Sequence, residues 1–190
     1  MGQRSQIYAR FNEDNKKGLI ANYYQWNYGE RMISRAKWGI EHIKNTLKYD
    51  WYYRQESNVT RLSRIFDTNF DMKDIQISCN IIAEYKEEFA DENFNDVVFK
   101  YQDNNDGKLF VDIEKDCIKY AFLDYECNLD NIMDAETYII WNSGEDWEKS
   151  EYLDEEDIDI CKENIKFISE NATLMTRQEL EEFINYDYEI

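Results

Sequence analysis

Nine of the 15 residues from 145 to 159 are carboxylates: Glu145, Asp146, Glu148, Glu151, Asp154, Glu155, Glu156, Asp157 and Asp159, with Lys149 as the basic interruption. Burying an unpaired carboxylate costs several kcal/mol even after the protein relaxes. Whatever fold the chain adopts must therefore keep this run at the surface. Some of the charge is locally favourable, because Asp154 can cap a helix and acids in the first turn meet the positive end of its dipole. The rest repels itself, which works against a compact state.

The run is the extreme of a wider division. The 190 residues hold 22 Lys plus Arg and 41 Asp plus Glu, for a formal charge of −19. Residues 1–66 carry 12 basic and 6 acidic side chains, net +6, and residues 67–190 carry 10 and 35, net −25. Affinity for phosphates comes from positive charge, so this balance argues against direct nucleic-acid binding. A charge asymmetry between two stretches of a chain points to a charged partner, or to attraction between them within one fold. With 43% hydrophobic and 16% aromatic residues the chain has core material that disordered acidic segments lack. No Pro and no Gly/Ser-rich linker interrupts it, so the expectation is a single compact α+β domain over 1–190, in which residues 1–66 form a basic segment and residues 67–190 an acidic one.

Local patterns fill in that class. Residues 6–11 and 19–26 are rich in β-branched and aromatic types and flank turn chemistry at 12–18, which predicts a β-hairpin. Asn27 with Glu30 reads as a capping box opening a helix to about Leu47, whose apolar arc is Met32, Ile33, Ala36, Ile40, Ile43 and Leu47. A helical piece is expected over 57–66 and an ambiguous, weakly helical stretch over 72–89. Residues 97–101, 109–113 and 117–123 read as antiparallel strands, the first two joined by the turn 103–107. Two helices close the chain: one capped by Asp154 with an Ile158, Cys161, Ile165 and Ile168 stripe, and one opened by the capping box Thr176-x-x-Glu179 that buries Leu180, Phe183 and Ile184.

The first helix carries a second row. Arg31, Arg35, Trp38, His42, Asn45 and Tyr49 recur at spacings of 4 and 3, opposite the apolar arc. Trp and Arg are enriched at binding hot spots, so Arg31, Arg35 and Trp38 are candidate partner contacts; the other reading packs the row against the acidic segment of the same chain.

Catalytic constellations are missing. There is one histidine, His42, and no G-x-S-x-G, phosphate-cradling glycine loop or H-E-x-x-H. Placing Gly107 at the sixth position of an EF-hand puts Gln102 first and Ile113 twelfth, where acidic ligands are required, so the calcium-loop match fails. A carboxylate-bound Mg²⁺ or Ca²⁺ hydrolase is the enzymatic alternative; otherwise no enzyme activity, cofactor or metal is expected. Cys79, Cys117, Cys127 and Cys161 lack C-x-x-C pairing and read as reduced thiols. Asn58-Val59-Thr60 and Asn171-Ala172-Thr173 read as chance matches to the glycosylation pattern. Neither a run of 18 apolar residues nor a signal-peptide pattern occurs, which predicts a cytoplasmic protein without membrane contact.

The segments Met1-Gly2-Gln3-Arg4-Ser5 and Ala21-Asn22-Tyr23-Tyr24-Gln25-Trp26-Asn27-Tyr28-Gly29-Glu30 resemble the start of small proteins of phages and mobile elements, which begin MG[T/Q]R and continue to Tyr-x-Gln-Trp-Asp/Asn. The likeness covers about the first 45 residues and carries no catalytic residues with it. In character such an acidic protein is similar to phage inhibitors of host defence, including anti-CRISPR and anti-restriction DNA mimics. Carboxylates spaced by about 6 Å along a helix approach the charge density of a nucleic-acid backbone and can occupy a basic groove. The expected partner is thus a basic, nucleic-acid-binding effector or nuclease in the host cell. An immunity protein neutralising a basic nuclease toxin fits the same charge.

Overall fold

The computed structural model describes residues 3–13, 16–48, 76–100, 105–114 and 117–188. Its centre is a hairpin of two long strands, β1 (Arg4–Glu13) and β2 (Lys16–Gln25), paired in register from Arg4 opposite Gln25 to Glu13 opposite Lys16. The pairing runs further into the predicted turn than the residue types suggest, and the reason sits at Gly18. It lies opposite Phe11, and a Cβ there would come within 2.4 Å of the Phe11 ring. The glycine serves close packing across strands rather than a bend.

β1 also pairs in parallel with β4 (Lys108–Ile113), which pairs antiparallel with β5 (Ile118–Leu123). With β3 (Gln76–Asn80) beyond β2 and the short β6 (Thr173–Leu174) beyond β5, the sheet order is β3-β2-β1-β4-β5-β6. The two strands of the basic segment therefore lie inside a sheet whose other strands come from the acidic segment. The fold is α+β with a mixed sheet; of the expected central strands, antiparallel pairing holds for β4 and β5.

Strand side chains alternate between faces, and here both faces are covered. On one, Ile7, Ala9, Phe11, Leu109, Val111, Tyr120 and Phe122 pack under α1 (Gly29–Lys48) together with the helices over 135–143 and 155–171. On the other, Tyr8, Ala21, Phe110, Ala121 and Leu123 pack under α2 (Ile81–Glu88), α3 (Phe94–Phe99) and the C-terminal helix. A sheet buried on both sides leaves little polar alternation to read, which is why β4 and β5 hold the apolar runs Leu109–Val111 and Tyr120–Leu123.

Several expectations need correction. Residues 97–100 do not form a strand: Asn93 accepts a hydrogen bond from the Asp96 N–H at 3.0 Å and starts α3, whose Val98 and Phe99 are buried. Packing on the sheet outweighs the β-preference of Val-Val-Phe. Of the expected turn 103–107, residues 105–107 are described, and there the Asp106 carboxylate accepts from the Arg4 N–H at 2.6 Å and tethers the start of β1. The ambiguous 72–89 stretch splits into β3 and α2, with Asn80 as the cap between them. Asn27 makes no capping box. It is buried and donates from Nδ2 to Ser5 Oγ at 2.9 Å, so α1 begins two residues later at Gly29. The expected helix over 57–66, Asn58-Val59-Thr60 and Tyr49 lie outside the described residues.

The remaining helices are α4 (Ala135–Ser143), α5 (Glu155–Asn171) and α6 (Arg177–Asn185). α5 and α6 fall where the sequence puts them: Asp154 accepts from the Asp157 N–H, and Thr176 and Glu179 form the reciprocal capping box. α4 has no counterpart among the sequence-based expectations. The Asn171 side chain accepts from Lys44 Nζ at 2.7 Å and donates to the Phe167 carbonyl, so the second glycosylation-like triplet is used in packing α5 on α1.

Candidate protein-binding surface

The acidic run occupies the connection from α4 to α5 and the first turn of α5. Gly144 ends α4 at positive φ, a single turn of 3₁₀ helix spans Trp147–Lys149, and Asp154 caps α5. Two apolar side chains pin this connection to the protein. Trp147 is 6% exposed and Leu153 packs against the same core. With those inward, Glu145, Asp146, Glu148, Glu151, Asp154, Glu155, Glu156, Asp157 and Asp159 are all exposed.

Their local partners are few. Lys149 Nζ lies 2.6 Å from Asp146 and Lys162 Nζ 2.5 Å from Glu148. Asp154 is engaged as the α5 cap at 2.9 Å. Among the described residues Glu145, Glu151, Glu155, Glu156 and Asp159 form no ion pair. The first turn of α5 holds Glu155, Glu156 and Asp157 against the helix dipole. That stabilises three charges without neutralising them.

The basic row of α1 divides among different surroundings. Arg35 is buried, its guanidinium 4.9 Å from the centre of the Tyr24 ring, so it belongs to the packing of α1 on the sheet. Trp38 is half-buried against the core and stacks on His42 with ring centres 3.7 Å apart. Arg31 lies 3.8 Å from Glu30 and over the Tyr28 ring. Glu30 connects this end of α1 to the acidic run: burial pushes its carboxyl pKa up, and nearby Asp157 adds to that while Arg31 opposes it. The structure thus brings Arg31 toward the run through Glu30, and leaves Arg35 and Trp38 to fold-internal contacts.

Elsewhere the basic and acidic segments do attract one another. Arg10 grips Asp112 with two hydrogen bonds, and Glu182 lies 2.7 Å from Lys17 and 3.4 Å from Arg10. Sequence reasoning missed these buried and half-buried pairs, because their partners are 102 and 165 or more residues apart. It also missed Tyr152, which stands within the run at 88% exposure. A tyrosine among nine acids was visible, but nothing in the pattern says that it points outward while Trp147 and Leu153 point in.

Among the described residues no group of three or more His, Cys, Asp or Glu side chains is placed to hold a metal ion, and no helix is long and apolar enough to cross a membrane. The described cysteines Cys117, Cys127 and Cys161 are free thiols. Comparisons with protein-family models, with curated proteins and with solved structures found no match to this chain.

Proposed function

We propose that this protein acts by binding, without turnover, and that the carboxylate face from Glu145 to Asp159 occupies the positively charged nucleic-acid groove of a host defence nuclease, in the manner of anti-CRISPR or anti-restriction inhibitors. One observation supports the reading best: nine carboxylates project from the stretch anchored by Trp147, and seven of them have no cation to pair with among the described residues. Such a surface favours fast, salt-sensitive association with a basic partner. The work would take place inside the host cell, where the nuclease meets its substrate.

The test is inhibition of purified RNA-guided and restriction nucleases, with nucleic-acid binding and cleavage read together. Reversal of Glu148, Glu151, Glu155 and Glu156 to Lys should abolish competition with nucleic acid. Inhibition that persists undiminished through those reversals would reduce the run to a solvated face. Divalent-metal-dependent cleavage by the protein itself, lost on substituting a single carboxylate, would favour the hydrolase instead.

A further inference from the structure

We draw no further inference here: the strongest candidate, the surface patch of Trp26, Tyr28 and Arg31 where β2 runs into α1, exposes the Trp26 ring at a positive φ beside the Arg31 guanidinium, and nothing in the structure shows what covers it.

Discussion

Substituting Asp112 by Ala is expected to be among the most destabilising single changes available in this fold. Arg10 and Asp112 lie opposite each other on the parallel strands β1 and β4, 1% and 5% exposed. Nε and NH2 of Arg10 reach the two carboxylate oxygens at 2.9 and 2.5 Å, and burial alone would disfavour the guanidinium charge that these bonds restore. Removing the carboxylate strands a buried cation, whose other near acid among the described residues is the more exposed Glu182 at 3.4 Å. Breaking a buried pair from one side costs about 3–5 kcal/mol, against a total of about 5–15 for an ordinary domain. Replacing both partners, as Arg10→Met with Asp112→Leu, removes the desolvation penalty with the attraction and should cost far less. Asp112→Asn keeps one acceptor oxygen and should fall between. Urea denaturation with matched slopes measures all three. A loss below about 0.5 kcal/mol for Asp112→Ala, or a double variant as unstable as the single, would refute the claim that the buried charge sets the cost.

Four further outcomes are expected. Thr176→Ala removes half of the α6 capping box and should cost about 1 kcal/mol. The Glu179 carboxyl is held below its ordinary range first by the Thr176 backbone bond and then by Lys119, so its contribution is present above the unfolded carboxylate pKa and disappears as pH falls through the folded one. Glu179→Gln should therefore destabilise at neutral pH and converge with the wild type in acid, as read from thermal melts. Lys108 is fully buried on β4, with Nζ donating to the Phe99 carbonyl at 2.6 Å, and burial lowers its pKa while Cys127 and Asp124 oppose that. A penalty of this sign is complete below the folded pKa and fades toward the ordinary lysine pKa of about 10.4, so the stability of Lys108→Met relative to the wild type should decline as pH is raised across that window. Trp38→Ala should lower the melting temperature, by about 3 kcal/mol of stability, because the ring packs on the core; an unchanged melt would make it a surface residue.

What the sequence reveals and conceals divides by range. The hairpin, α1, α5 and α6 were legible because their signals are local: β-branched and aromatic stretches flanking turn residues, an apolar arc, Asp154, and Thr176-x-x-Glu179. α4 was not, because Ala135, Tyr138 and Ile139 are buried while Ile140 is exposed, so no clean apolar stripe marks its inward side. Residues 97–99 misled because short helices draw their stability from what they pack on, here Phe110, Phe183 and Tyr188 around Phe99. The parallel pairing of β1 with β4 carries no local signature at all, since the partners lie 102 positions apart. For the surface, the run 145–159 could be placed outside from charge alone. The inward turn of Arg35 and the outward turn of Tyr152 depend on the tertiary setting.

That setting also changes what the charge division means. Read along the chain, a basic segment and an acidic segment look like two bodies that attract; in the fold, the basic strands are threaded between acidic ones, and their cations are spent at specific places. Arg10 goes to Asp112, Lys17 to Glu182, and Arg35 to the Tyr24 ring. Even in the acidic segment, Lys119 is shared between Glu114 and Glu179. Internal attraction is thus concentrated on β1, β2, β5 and α6, while the run from Glu145 to Asp159 lies beyond its reach with Lys149 and Lys162 as its neutralising cations. The basic row of α1 approaches the run at Arg31, through Glu30 beside Asp157, and packs inward at Arg35 and Trp38, while the nine acids face solvent. The molecule is acidic elsewhere too, but the run packs nine carboxylates against Lys149 within 15 residues, and such a local excess is what a complementary basic groove can recognise.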